Sequence, residues 1–394
     1  MVDVLLLVGL AVAVFVGFNI GGSSTGVAFG PAVGSHTVSK LGAATLMSAF
    51  FLVGGWTVGR NVIATMGGKI VPSKEFTLVA SVGVLFFVGL ALLISNLFGV
   101  PASTSMTAVG AIAGLGVATG TLRESVMFQI VSAWLLAPVI AFWICAVIGR
   151  YLYPYLDAWF RLEQSEGPLI EFSRVGSLPY PTVSATATPK QLVVNGLVVG
   201  IGCYMAFSAG ASNVANAVAP LVGADAIGES SGVLLAAGAT AIGAFTIARR
   251  TLDTVGNDLT DLPLLAALIV EVVSASIITF LSELGIPASL AVSATMCIVG
   301  LGWGRATRTV RISDAAAAAV KGPDESEERS EMSVGAIAAE PENEVARIGE
   351  EDPDVLAASD LFNPSTTARV VGLWIITPSM SALASFLLFE YVPL

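Results

Sequence analysis

Charged side chains are scarce in this sequence: they make up 12% of its 394 residues, whereas hydrophobic side chains make up 55%. A soluble protein of this size carries roughly 25% charge, so a soluble multidomain enzyme is excluded. The net charge of −11 also excludes a basic nucleic-acid-binding protein. The run from Phe76 to Leu122 has no charged residue and exceeds the ~20 apolar residues that cross a bilayer. We therefore predict a polytopic membrane protein.

Histidine and cysteine are scarce as well, with one His and three Cys in the chain. A single histidine leaves almost no material for a His-based metal site or a Ser–His–Asp triad. Cys145, Cys203 and Cys297 lie far apart in apolar runs and match no disulfide framework or metal-ligand spacing. No GxxxxGK[ST] phosphate-binding loop is present. We therefore expect no enzyme activity, no metal site and no bound cofactor, and any transport must draw on an ion or solute gradient.

The negative charge is concentrated near the C-terminus. Residues 313–362 contain 14 acidic and three basic side chains and are rich in Ala, Glu, Ser and Pro. This segment has too few apolar residues to build a core. We predict a disordered acidic loop.

Three sequence features occur twice, in the same order. GFNIGGSSTGVAFG, from Gly17, is matched by GASNVANAVAPLVG, from Gly210. NLFGVPASTSMTAVGAIAGLG, from Asn96, is matched by ELGIPASLAVSATMCIVGLG, from Glu283, and VSAWLLAPVIAFWI is matched by VGLWIITPSMSALA. Duplicated membrane halves are typical of secondary transporters.

The duplication predicts how the chain is organised. The predicted fold is all-α, a polytopic membrane protein with two repeats of about five membrane elements, broken helices and roughly 10–12 spans, and five crossings per repeat make these inverted repeats. The predicted segments are a first repeat at 1–150, a linker at 151–190, the first part of the second repeat at 191–312, the acidic loop at 313–362 and a last span at 363–394.

Polar and Gly-rich segments occur at membrane depth in both repeats. Asn19–Thr25 and Ser208–Asn216 carry Asn, Gly and Ser where lipid requires apolar side chains, so we predict that the helices are interrupted there. The segment from Pro101 to Ser105 is typical of the first turn of a helix, which Pro favours and Ser and Thr cap. Such a turn directs N–H groups and the positive end of the helix dipole at an anion. Alternatively, the small residues only permit close helix packing.

These motifs resemble those of the inorganic phosphate transporter (PiT) family. GASNVANAVAPLVG resembles its GANDVANA signature, VPASTSMTAVGA resembles its P-x-S-T-T-H element, and ARRTLDTVG resembles its G-R-[RK]-V-[IL]-x-T-[VI]-G stretch. The resemblance covers the chain apart from 313–362. It implies a secondary transporter of an inorganic oxyanion, built as inverted repeats in the plasma membrane with extracellular termini, which also places the acidic loop in the cytoplasm. In this family both signatures and both P-x-S-T-T-H elements converge on the substrate.

Polar residues and helix starts that meet at the repeat interface form the candidate anion-binding site. Its residues are Asn19, Gly21, Gly22, Ser23, Ser103, Thr104, Ser105, Ser212, Asn213, Asn216 and Ser289. Ser289 belongs to the decayed second copy of the P-x-S-T-T-H element and is the weaker contributor.

The chain departs from the family at positions that usually carry acids. The signature Asp is Ile20 in the first repeat and Asn213 in the second, a Glu of the second span is Phe51, and the final His of P-x-S-T-T-H is Met106. A carboxylate can accept the proton of phosphate but repels sulfate, so these losses favour sulfate, and the pattern resembles the sulfate-permease branch. Phosphate, another oxyanion and a passive anion channel on the same scaffold remain alternatives.

Glu271 is the only carboxylate in the apolar run 264–280. An acid at membrane depth is costly and usually faces a cavity or a partner, so Glu271 either binds the coupling ion or fixes helix packing, protonated or paired with Arg. We expect a proton as the coupling ion, with sodium as the alternative. Arg249 and Arg250 either attract the anion or mark the cytoplasmic end of a span. The expected partners are the oxyanion and membrane lipid, not nucleic acid, and a homodimer is left open.

Overall fold

The computed structural model describes residues 4–97, 103–160, 170–175, 178–183, 189–246, 263–309 and 364–391. The acidic segment 313–362 and both Arg249 and Arg250 lie outside these ranges. The described helices are α1 (Val4–Gly34), α2 (Lys40–Trp56), α3 (Gly59–Met66), α4 (Leu78–Leu97), α5 (Thr104–Ala118), α6 (Glu124–Val147), α7 (Tyr153–Phe160), α8 (Pro189–Gly223), α9 (Glu229–Thr246), α10 (Leu264–Glu283), α11 (Leu290–Ala306) and α12 (Pro364–Tyr391).

Short elements connect these helices. A π-helical turn (Ile148–Leu152) joins α6 to α7, and 3₁₀ turns occupy Ser73–Glu75 and Thr307–Thr309. The predicted linker contains two antiparallel strands, β1 (Ile170–Val175) and β2 (Leu178–Val183). Apart from this hairpin, the described secondary structure is helical, which confirms the predicted all-α membrane fold.

Several helices are long and apolar enough to span a bilayer. Four described stretches meet this criterion: Val4–Gly34, Glu124–Phe160, Gln191–Gly223 and Leu264–Glu283. A fifth is obtained if α2 and α3 form one span, which is bent by 59° at its break. The outer face of α6 exposes large apolar side chains such as Phe128 and Leu135, as expected for a surface that contacts lipid.

The predicted interruptions of α1 and α8 are wrong. Asn19–Thr25 lies inside one continuous helix of 31 residues, and Ser208–Asn216 lies inside one of 35 residues. The helix accommodates this polar segment because its hydroxyl groups bond to carbonyls of the preceding turn. Thr25 Oγ1, for example, donates to Gly21 O at 2.7 Å.

Glycines bring the backbones of α1 and α8 very close to neighbouring helices. A Cβ atom on Gly21 would overlap the Thr240 carbonyl of α9 and lie 2.8 Å from its carbon. A Cβ atom on Gly210 of α8 would overlap the Phe51 carbonyl of α2 in the same way. The two signature helices therefore make matching contacts, each with a helix of the other repeat.

A second pair of matching contacts involves the ends of the two repeats. A Cβ atom on Gly110 of α5 would lie 2.5 Å from Pro378 O of α12. On Gly300 of α11 it would overlap the Phe142 carbonyl of α6. Thus α5 of the first repeat packs on α12 of the second, while α11 of the second packs on α6 of the first. The duplication seen in the sequence is reflected in this interlocked packing, and the inversion of the repeats stays a prediction.

All three cysteines are free and buried, as expected of small apolar residues. Cys145 of α6 and Cys297 of α11 lie in the same buried cluster, although they are far apart in the sequence. The close packing of α6 with α11 brings them together, which residue spacing could not predict.

Candidate functional site

Helices α5 and α11 begin with serine caps at equivalent positions of the two repeats. Ser103 Oγ accepts a hydrogen bond from Met106 N, and Ser289 Oγ accepts one from Val292 N, both at 3.3 Å. Both serines are buried, so these helix starts lie inside the protein. A helix start is therefore found in the predicted segment, but the helix begins at Thr104 with Ser103 as its cap, three residues later than the predicted first turn, and Pro101 itself lies outside the described residues.

A network of polar side chains joins the start of α5 to the middle of α8. Thr104 Oγ1 donates to Asn213 Oδ1 at 2.5 Å. Asn216 Nδ2 lies 3.2 Å from Thr104 Oγ1, 3.1 Å from Ser105 Oγ and 3.0 Å from Asn213 Oδ1. Four residues predicted from separate motifs thus lie in one network.

Ser212 extends this network to the segment before α11. Its hydroxyl lies 3.3 Å from Ser105 Oγ and donates to Ala288 O at 2.7 Å. Ser289 follows Ala288 directly, so the second capped helix start adjoins the same network. The structure thus brings together polar residues of α5, α8 and α11.

The α1 residues of the predicted site have different contacts. Asn19 Nδ2 donates to Phe15 O at 2.8 Å, and Ser23 Oγ lies 3.2 Å from Asn19 O and Ile20 O of its own helix. These contacts lie within α1.

Gly21 and Gly22 face α9. A Cβ atom on Gly21 would overlap Thr240, and one on Gly243 of α9 would lie 3.1 Å from Gly22 N. For these two glycines the structure supports the alternative interpretation, close helix packing.

The side-chain oxygen of Asn216 is a buried hydrogen-bond acceptor that lacks a donor in the described part of the chain. The side chain is 1% exposed, and no described residue donates a hydrogen bond to its Oδ1. A buried acceptor without a donor costs about 1–3 kcal/mol. The network therefore offers hydroxyl and amide donors together with one acceptor that can bind a hydrogen or a cation.

Glu271 lies in α10, near the network but not in it. Its side chain is buried, and no described residue donates a hydrogen bond to its Oε1. Ser208 of α8, one turn before Ser212, donates to Ala275 O of α10 at 3.0 Å, one turn after Glu271. The ion pairs found in the described part of the chain join Arg60 with Glu229 and Lys74 with Glu75, so they include no arginine partner for Glu271.

Two supporting residues were not predicted. Ser208 fixes α8 to α10, and Trp134 Nε1 of α6 donates to Pro287 O at 2.7 Å, which holds the segment that leads into α11. Trp134 could have been found from its repetition at Trp374 in the second repeat. Ser208 carries no such signal, because its partner is a backbone carbonyl.

A family model described as the phosphate transporter family matches residues 20–385. The sulfate permease CysP of Bacillus subtilis is 29% identical over 297 residues, which cover 75% of this chain and 77% of that protein. A putative phosphate permease of Chlamydia trachomatis is 26% identical over 395 residues, which cover 78% and 92% of the two chains.

A solved structure has a similar fold. It is titled the sodium-dependent phosphate transporter, with a TM-score of 0.66, 17% identity and 98% coverage of both chains. At this identity the similarity shows the fold alone.

Proposed function

The chain belongs to the phosphate transporter family, and we propose that it is a secondary active symporter of a tetrahedral inorganic oxyanion, with sulfate favoured over phosphate. It is a multi-pass membrane transporter of inorganic anions and not an enzyme, in line with its family and with the permeases that it resembles. We place it in the plasma membrane with extracellular termini and a cytoplasmic acidic loop.

The buried network at the start of α5 carries this proposal. The hydroxyls of Thr104 and Ser105, in the first turn of α5, lie within 3.2 Å of the Asn216 amide nitrogen. Helix starts with free N–H groups favour anions. The hydrogen bonds of the network involve hydroxyls, amides and one backbone carbonyl, but no carboxylate, so nothing in them repels a divalent anion.

The preference for sulfate rests on the positions where the family carries acids. Ile20 and Phe51 are fully buried and bring no charge to the interior. Asn213 Oδ1 accepts hydrogen bonds from Thr104 and Asn216, so it is engaged by neutral donors of the protein. Sulfate is fully deprotonated and needs donors only, which matches this chemistry.

Phosphate is the second candidate substrate, because the side-chain oxygen of Asn216 lacks a hydrogen-bond donor in the described part of the chain. Asn216 Oδ1 is a buried acceptor with no donor among the described residues, and the hydroxyl group of monohydrogen phosphate could supply one. Sulfate has no hydrogen to donate there.

The coupling ion is proposed to be a proton carried by Glu271. This carboxylate is buried in a membrane helix and faces no arginine in the described ion pairs. A lone acid can take up and release a proton as the cavity opens to one side and then the other, whereas a sodium site requires several oxygen ligands.

Uptake into proteoliposomes tests the proposal. Purified protein is reconstituted, and labelled sulfate and phosphate are supplied with an imposed proton gradient, a sodium gradient or neither. The proposal predicts saturable, concentrative sulfate uptake with the proton gradient. Transport that never exceeds equilibrium would indicate a passive channel, and dependence on sodium at fixed pH would contradict proton coupling.

A further inference from the structure

Ser208 forms a hydrogen bond between two membrane helices, α8 and α10. The residue is fully buried, and its hydroxyl donates to Ala275 O of α10 at 3.0 Å. Serine and threonine hydroxyls inside helices often bond to a carbonyl of their own preceding turn, as Ser274 does with Val270 O at 2.6 Å. Ser208 bonds instead to the backbone of the neighbouring helix, so the two helices are fixed to each other at this point.

The α10 end of this bond lies one turn from Glu271. Ala275 follows Glu271 by four residues, so the two lie on the same face of α10, and both are buried. No described residue donates a hydrogen bond to Glu271 Oε1, and an unpaired buried charge is very costly. Release of a proton from this carboxylate therefore requires water or a new partner, and the packing of α10 must change to admit it.

The α8 end of the bond leads to the polar network. Ser212 follows Ser208 by one turn and Asn216 by two turns, in a helix that continues without a break for 35 residues. Ser212 donates to Ala288 O at 2.7 Å, and Asn216 Nδ2 lies 3.1 Å from Ser105 Oγ. Rigid helices and hydrogen-bond networks can carry energetic coupling between sites. A shift of α10 is therefore passed through α8 to the residues that contact the start of α5.

The first repeat has no acid at the corresponding position. Helices α4 and α10 each contain 20 residues, and each precedes a Pro-Ala-Ser segment of the sequence. Counted from the first residue of each helix, Glu271 corresponds to Leu85, which is fully buried. A leucine is thus sufficient for packing at this place in the repeat, so packing alone does not explain the carboxylate beside the Ser208 bond.

We propose that Ser208 is a positioning residue that couples the proton on Glu271 to the anion site. This proposal rests on the proposed function, in which Glu271 carries the coupling proton. Gain or loss of the proton changes the packing of α10, and the bond from Ser208 makes α8 follow, so the polar network responds. Without the bond the anion still binds, but the proton and the anion can cross the membrane independently.

Proteoliposomes that contain Ser208→Ala test the proposal with labelled sulfate and phosphate. Exchange of anion between the two sides is measured first, because it reports the amount of active protein and needs no proton gradient. The apparent KM in exchange should stay unchanged, since the contacts of Asn216 with Thr104 and Ser105 do not involve Ser208. With a proton gradient, the accumulation ratio per unit of exchange activity should fall about fivefold, the effect of one hydrogen bond of ~1 kcal/mol.

Tyr204→Phe is the matched control. It removes another hydroxyl that joins α8 to α10, but this hydroxyl donates to Ser276 Oγ at 3.3 Å, in an exposed contact that ends on a side chain. Because the α10 backbone is not held by this contact, Tyr204→Phe should keep the accumulation ratio of the wild type. An unchanged ratio in Ser208→Ala, or an equal loss in both variants, would overturn the proposal.

The wild-type protein and Glu271→Gln separate this result from a failure of the proposed function. If the wild type does not accumulate anion with a proton gradient, or if Glu271→Gln accumulates it normally, proton coupling through Glu271 is refuted and the role of Ser208 with it. If the wild type accumulates anion and Glu271→Gln does not, the comparison of Ser208→Ala with Tyr204→Phe alone decides the role of Ser208.

Discussion

Replacing Asn216 by alanine removes the side chain that links the start of α5 to α8. Its Nδ2 atom lies 3.0–3.2 Å from Thr104, Ser105 and Asn213, and its unpartnered Oδ1 is removed at the same time. The remaining hydroxyls keep partners, because Thr104 donates to Asn213 Oδ1 and Ser105 stays in contact with Ser212 Oγ. We therefore expect a folded protein with a weakened site.

The size of the effect follows from the charge of the substrate. A hydrogen bond to a charged group contributes about 1.5–3 kcal/mol, so the loss of one amide donor should raise the apparent KM for the anion by about 10- to 150-fold. The substitution loses the hydrogen bonds of the Asn216 amide nitrogen, which lowers the stability of the protein. It also removes the buried oxygen that has no donor among the described residues, and this offsets part of that loss. The melting temperature should accordingly change little compared with the change in KM.

The assay is initial-rate uptake of labelled sulfate and phosphate at increasing concentration in proteoliposomes. Asn61→Ala is the matched control, because the Asn61 amide donates to Glu283 O and to no residue of the network. It should leave the apparent KM for both anions unchanged. If Asn216→Ala, tested together with Ser103→Ala, also leaves both values unchanged, the anion does not bind at this network.

Three further predictions use the same reconstituted protein. Asn213→Asp should lower sulfate uptake and raise the ratio of phosphate to sulfate, because a carboxylate repels sulfate and accepts the phosphate proton; an unchanged ratio would remove the argument for sulfate. Glu271→Gln should abolish accumulation driven by a proton gradient but keep anion exchange between the two sides, whereas normal coupling with lower stability would make this residue structural. Gly210→Ala should destabilise the protein by ~1–3 kcal/mol in thermal unfolding, because its Cβ would overlap the carbonyl of Phe51. The control Gly200→Ala meets no atom within 4 Å and should stabilise helix α8 by roughly 0.5–1 kcal/mol, so equal effects would contradict the packing argument.

The sequence predicts the capped helix starts well, because a cap is a local interaction. Ser103 and Ser289 each bond to an N–H group three residues later, so hydroxyl residues before an apolar run are sufficient to place them. The grouping of Ser105, Ser212 and Asn216 in one network is also anticipated, since the repeated motifs imply that these segments meet.

The role of the glycine-rich segment of α1 could not be predicted from the sequence. Gly21 is compatible with a helix break, an anion site or close packing, and its role is decided by Thr240, a residue of the other repeat. The proximity of Cys145 to Cys297 is missed for the same reason. Local pattern does not specify which distant helix a small residue meets.

The interlocked packing has a consequence for synthesis of the chain in the cell. Helix α5 carries Gly110 and Gly114, which fit against the backbone of α12, but α12 begins only at Pro364. The ribosome must translate more than two hundred further residues before that partner exists. Until then this face of α5 has no α12 to pack against, so a chain that terminates before Pro364 lacks this contact altogether.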